Sequence, residues 1–185
     1  MKYIVVIAFF FSVGVRAQEV RWVDESFDIG DINYNGIPLI AFHKIMSSGS
    51  PLDTVLYQTA TVLKEAGSWE LTISNEKGSG QLKNDLLSYE VIASLDDPYE
   101  YELSGLTIKS SASILNFKGL VVSVGDNLSV VSSVYPSINK VKGYSQVAGG
   151  YIVAIRDLNK AISVTFFYDV NTKEILEIRY FRLLH

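Results

Sequence analysis

GYIVAIRDLNKAISVTFFYDVNTKEILEIRYFR, residues 150–182, decides how the chain folds. It divides into three β-rich runs, GYIVAIR, AISVTFFYD and ILEIRYFR, separated by the polar breaks DLNK and VNTKE. Runs of this length, rich in β-branched and aromatic residues and joined by short polar turns, predict an antiparallel meander. Working back toward the N-terminus, the pattern recurs. WELTISN (69–75) sets Trp69, Leu71 and Ile73 against Glu70, Thr72 and Ser74. SYEVIAS (88–94) puts Tyr89, Val91 and Ala93 on one face, and YEYELSG (99–105) sets Tyr99, Tyr101 and Leu103 against Glu100, Glu102 and Ser104. Strict period two places one face on a core and the other in water. The polar, glycine-containing NEKGSGQLKND (75–85) reads as a loop.

Two short segments carry a helical period instead. IPLIAFHKIM (37–46) has Pro38 suited to a first turn and aligns Leu39, Phe42 and Ile45 or Met46. DNLSVVSSVY (126–135) has Asp126 as its N-cap, aligns Leu128, Val131 and Val134 or Tyr135, and is stopped by Pro136. Laid over each other at an offset of 89 residues, Gly36 falls on Gly125, Leu39 on Leu128 and Phe42 on Val131. That overlay suggests a tandem repeat of a helix-plus-antiparallel-sheet unit, although any two amphipathic helices entered through a glycine align passably. The expected class is α+β, antiparallel sheet with two short helices. The division is residues 18–118 and 119–185, packed as one body after a leader at 1–17.

GLVVSVGDNLSVVSSVYPS (119–137), a strand, a short helix and a proline, followed by a meander ending in KEILEIRYF, is similar to two groups of small exported α+β domains. These are the β-lactamase-inhibitor-protein-like domains and the outer-membrane-assembly lipoproteins of the SmpA/OmlA type. The resemblance covers 120–182 fairly and 36–118 weakly. It implies architecture, and for the inhibitors a tandem repeat of helix plus four-stranded sheet. No functional residue carries over. The chain departs from the inhibitors in having no Cys, and from the lipoproteins in lacking a Cys to lipidate.

The N-terminus has Lys2, then an apolar stretch to Val15, then Val15-Arg16-Ala17. A basic start, about a dozen apolar residues and small side chains at −3 and −1 read as a secretory signal peptide. The stretch is short of the roughly 20 residues a spanning helix needs. The expectation is an exported chain, periplasmic or extracellular, without a lipid anchor or a membrane span. Without Lys2 and Arg16 the 16 basic residues become 14 against 20 acidic ones, a net charge of −6. No basic patch interleaved with aromatics is evident, which argues against nucleic acid and leaves another protein as the expected partner.

DINYNGIPLIAF (31–42) opens like a calcium loop, with Asp31, Asn33 and Asn35 at alternate positions and Gly36 following. Counted from Asp31, the eighth position is Pro38 and the twelfth is Phe42, where an EF-hand needs an apolar residue and a bidentate Glu. The stretch therefore reads as a turn.

The two histidines, His43 and the terminal His185, with no Cys, leave too few ligands for zinc. There is no G-x-S-x-G elbow and no phosphate loop. No cofactor and no metal are expected. The densest acidic surface is SLDDPYEYE, with Asp96, Asp97, Glu100 and Glu102. As a partner-binding patch it suits a non-enzymatic protein-binding domain, an inhibitor or immunity-type factor. As a carboxylate pair, Asp96 and Asp97 would suit an exported hydrolase, although Asp-Asp-Pro is also an ordinary turn. A carrier of an apolar ligand is the third reading, motivated by the Tyr- and Phe-rich strands.

Overall fold

The computed structural model describes residues 22–46, 49–63, 67–74, 78–94, 100–141 and 150–182. Strand β1 (Trp22–Asp24) is followed by a 3-10 turn, Ile29–Asp31, and a hairpin of β2 (Ile32–Tyr34) and β3 (Ile37–Pro38). A second 3-10 turn, Leu39–Phe42, runs into the short helix α1 (His43–Met46), and helix α2 spans Leu52–Leu63. Four strands follow, β4 (Glu70–Ser74), β5 (Ser79–Lys83), β6 (Leu87–Ala93) and β7 (Tyr101–Ile108). A second hairpin of β8 (Ile114–Phe117) and β9 (Leu120–Ser123) leads into helix α3 (Ser129–Val134) and a 3-10 turn, Pro136–Lys140. The meander closes the chain as β10 (Gly150–Asp157), β11 (Ile162–Asp169) and β12 (Ile175–Arg182).

The strands form two sheets. The larger has the order β1-β10-β11-β12-β7-β6-β5-β4 and the smaller β3-β2-β8-β9. Every pairing is antiparallel except β1 with β10, which makes the large sheet mixed. The molecule is sheet-rich with short helices, an α+β protein in that broad sense.

The sequence pattern explains one face of the large sheet directly. Ile162, Val164, Phe166 and Tyr168 of β11 are buried, and the residues between them are half-buried. Leu82, Tyr89, Leu106, Tyr180, Val164 and Ile155 lie side by side across the sheet through its register. This inner face shares a single core with Ile32, Tyr34, Leu115, Phe117, Leu120 and Val122 of the small sheet. Phe117 bridges toward Phe27, edge to face at 4.7 Å, and toward Tyr135, stacked at 5.9 Å. Helix α2 packs on β4 and β5, and α1 on β7.

Three expectations are corrected. The expected single helix over 37–46 is a two-residue strand, a 3-10 turn and one helical turn, because Ile37 and Pro38 are taken into pairing with β2. The expected helix over 126–135 is helical only at Ser129–Val134, and its N-cap position is Leu128, without a side-chain cap. Asp126 instead accepts from the Ser123 N–H, and Asn127 from the Ser129 N–H. The expected loop over 75–85 contains β5. Its Gly80 lies under α2, and a Cβ there would come within 2.7 Å of Leu56 Cδ1. A glycine that looks like a turn signal is thus a point of close helix–strand approach.

Helix α2 carried no helical reading, since Val, Thr and Tyr give it strand-like propensity. Its buried residues, Val55, Leu56, Thr59, Ala60 and Leu63, nonetheless recur at helical spacing. The buried Thr59 hydroxyl is satisfied by the Val55 carbonyl at 2.9 Å.

The two hairpins join edge to edge in one sheet. β2 pairs with β8 so that Asn33 opposes Asn116, Ile32 opposes Phe117, and Tyr34 opposes Leu115. Each turns through two residues of positive φ, Asn35 and Gly36 (49° and 78°) and Lys118 and Gly119 (44° and 86°). Positive φ at both positions is the type I′ requirement. The polar ladder of the false calcium loop is used up locally. Asp31 accepts from the Asp28 N–H, and Asn35 from the Ile114 N–H. In the large sheet the last strands of the two meanders, β7 and β12, meet at the centre with Leu106 opposite Tyr180.

Candidate binding face

The alternation that buries one side of the large sheet turns the other outward. Trp22, Arg156, Phe167, Arg179, Phe181, Glu90, Ile92, Gln81 and Thr72 lie on this side, and each is half-buried or exposed. Three of these residues are aromatic. The Arg156 guanidinium sits 4.4 Å from the Trp22 ring centroid, and that of Arg179 sits 4.3 Å from Phe167. Arg179 also pairs with Glu177, the residue registered opposite Phe167. Phe181 has no cation over its ring among the described residues and is 44% exposed.

A depression of about 370 Å3 opens on this face. Ser74, Ser79, Gln81, Glu90, Phe181 and Arg182 line it. Two of its lining residues are related by pairing: Glu90 opposes Gly105 on β7, and Gly105 opposes Phe181 on β12. A glycine between the two leaves no side chain to separate them. Gln81 Nε2 donates to Glu90 Oε1 at 2.7 Å and to Ser88 Oγ at 3.1 Å. Glu90 Oε2 looks toward Gly105, 3.6 Å from where a Cβ would stand. Glu90 is in no ion pair among the described residues. Arg182 is held by Glu102, Nη1 to Oε2 at 2.8 Å.

The residues singled out from the sequence divide. Asp96 and Asp97 lie outside the described residues, as do the leader at 1–17 and His185. The hydrolase reading therefore has no described geometry to draw on. Glu100 is half-buried, and its carbonyl accepts from the Ser94 N–H at 2.8 Å. Glu102 is on the outer face, but engaged by Arg182. Sequence reading missed Glu90, Gly105 and Phe181, which only strand pairing makes neighbours. The available signal was the glycine inside YELSGLTI, a residue that in a strand often marks a close approach.

Among the ionisable groups shifted behind the face are Tyr180 and Asp157. Burial pushes the Tyr180 phenol up, so it stays neutral, and its hydroxyl has no hydrogen-bond partner among the described residues. Burial also pushes the Asp157 carboxyl up, but the N–H groups of Phe27, Lys160 and Asn159 and the Lys160 charge outweigh it, and the net shift is downward. Asp157 anchors the chain after β1 to the β10–β11 turn. No group of three or more His, Asp or Glu able to hold a metal occurs among the described residues. No helix among them is long and apolar enough to cross a membrane. Comparison with known protein families, with curated proteins and with solved structures finds no match.

Proposed function

We propose that the chain is an exported, non-enzymatic domain that docks another protein on the outer face of its large sheet, as an inhibitor or immunity-type factor does. The observation that carries this is the composition of that face. Aromatic rings, arginines and hydroxyl groups share one continuous, partly exposed surface around a shallow depression. Aromatic residues and arginine are the side chains enriched in protein interfaces and their hot spots. The signal-peptide pattern at 1–17 supports export, and the resemblance to exported inhibitor-type domains points the same way.

A tandem organisation belongs to the same proposal: two copies of hairpin, helix and meander, joined about a local two-fold axis. Three features support it. INYNG and LNFKG make matching hairpin turns, at an offset of 83 residues from Gly36 to Gly119 and not the 89 from Gly36 to Gly125. At that offset Asn33 opposes its own counterpart, Asn116, and the flanking pairs are exchanged, as an isologous contact requires. After β5 and after β10 the same kind of turn occurs: Asn84 Oδ1 accepts from Leu86 and Leu87, and Asp157 Oδ1 from Asn159 and Lys160. The second copy then starts before β8, ahead of residue 119.

The test is capture from native envelope and culture fluid on the immobilised chain, run beside an Ile92→Arg, Thr107→Arg double variant. Both positions face outward, so the core is untouched. One protein should be retained by the native chain and lost by the variant. Equal retention by both, or recovery of a small molecule with no protein, would refute the reading.

A further inference from the structure

The outer face treats its aromatic rings in a consistent way, with one exception. Trp22 is covered by Arg156, whose register partner is Asp24. Phe167 is covered by Arg179, which also pairs with Glu177. In both places a guanidinium lies over an aromatic ring, and at Phe167 a carboxylate holds that guanidinium as well. Phe181 and Glu90 offer a ring and a carboxylate on either side of Gly105, which has no side chain to separate them, and no described residue supplies the cation. The nearest candidate, Arg182, is held by Glu102.

We propose that Glu90, Gly105 and Phe181 form a receptor for the guanidinium of an arginine on the partner protein. This rests on the docking reading above and names the chemistry that the partner must present. Adjacent strands lie about 4.8 Å apart, so the ring and the carboxylate rise from backbones roughly 10 Å apart. A planar guanidinium fits that span in one orientation. It lays its face on the phenyl ring and turns N–H groups toward Glu90 Oε2, the oxygen that Gln81 leaves open. Gln81 fixes the carboxylate beforehand, which lowers the ordering cost of binding. An ammonium can meet the carboxylate but cannot stack, so lysine is the weaker occupant.

The experiment titrates the 15N-labelled chain with the pentapeptide acetyl-Gly-Gly-Arg-Gly-Gly-amide, and with versions carrying Lys or Gln at the centre. The arginine peptide should give saturable shifts centred on the Glu90, Gly105 and Phe181 amides. The lysine peptide should bind more weakly, and the glutamine peptide should leave those amides unmoved. Glu90→Gln should weaken the arginine peptide about tenfold, and Phe181→Leu about threefold. Gly105→Ala is the second variant. Its methyl would meet nothing closer than Glu90 Oε2 at 3.6 Å, so the fold is kept while a side chain is placed between ring and carboxylate, and binding should fall about fivefold. Any of three results would overturn the proposal: equal shifts from the arginine and glutamine peptides, undiminished binding by Glu90→Gln, or no saturable response at the solubility limit of the peptide. A partner captured equally by native chain and Glu90→Gln, yet lost by the Ile92→Arg, Thr107→Arg variant, would overturn the guanidinium receptor and leave the docking reading standing.

Discussion

The β2–β3 and β8–β9 hairpins are alike in backbone and unlike in the helices they lead into. Both turn through two residues of positive φ, and they pair with each other in a self-matching register. After the first come a 3-10 turn, one turn of helix and then α2, a 12-residue helix seated over Gly80. After the second come the six residues of α3 and a 3-10 turn. A hairpin turn and a covering helix must satisfy different conditions. A type I′ turn restricts both of its residues to positive φ, which few side chains tolerate, so its sequence has little room to vary. A covering helix needs only an apolar stripe of the right width, which many sequences and lengths provide.

Four predictions test how far the proposed halves correspond. The largest effect is expected where each hairpin hands over to its helix. Phe42 and Val131 are both almost fully buried. Phe42→Ala should cost about 3–5 kcal/mol and Val131→Ala about 2 kcal/mol, read from urea unfolding midpoints at constant m-value. A cost under about 1 kcal/mol at either site would mean that one half does not depend on its helix.

Next is Gly80, which alone among the described glycines lies against a helix. Gly80→Ala should destabilise by about 1–3 kcal/mol, because the new methyl meets Leu56 and α2 must lift. Gly105→Ala, two strands away on β7, should be neutral or mildly stabilising. Thermal unfolding of the two variants side by side separates crowding from backbone entropy, and similar Tm changes would remove the close-packing account.

The hairpin turns provide the sharpest equality. Gly36 and Gly119 both have positive φ and open space where a Cβ would stand, so only backbone strain separates Gly from Ala there. Gly36→Ala and Gly119→Ala should each cost about 1 kcal/mol. Stability measurements that differ by more than the cost itself would break the correspondence of the two turns.

The smallest effect distinguishes the turns after β5 and β10. Asn84 does not titrate, whereas Asp157 is held below the ordinary carboxylate range. A lowered folded-state value means that the unfolded chain binds the proton more readily. The stabilisation is therefore fully present above the unfolded value near pH ~4 and is lost as pH falls through the folded value. Asp157→Asn should flatten the acid limb of a stability–pH profile. It should also weaken the fold at neutral pH, since the oxygen accepting from the Phe27 N–H would be replaced by a donor. An unchanged acid limb would show that Asp157 is not the group responsible.

The C-terminal meander was readable because its alternation is strict and its turns are polar: β10, β11 and β12 fall on the three runs, and DVNTKE is the turn in which Asp169 accepts from Asn171 and Thr172. Helix α2 was unreadable because its Val, Thr and Tyr residues suit a strand, and packing on β4 and β5 overrode that propensity. β5 was hidden by Gly80, whose reason for being glycine is a helix that precedes it in the chain. The acidic patch fared differently from residue to residue. Glu102 faces outward as its alternation implies, but Arg182, far along the chain, engages it.

By itself the sequence determined the period of each strand, the residues able to turn, and the face of β6, β7 and β11 that must be buried. These are local matters, decided by backbone dihedrals and by the two-residue repeat of a pleated strand. The tertiary structure alone decided that β7 lies beside β12, and that Glu90, Gly105 and Phe181 fall into register on the outward side of the eight-stranded sheet. Strand neighbours distant in sequence are selected by burying one shared core, and no local preference encodes which outward-facing residues that burial brings together.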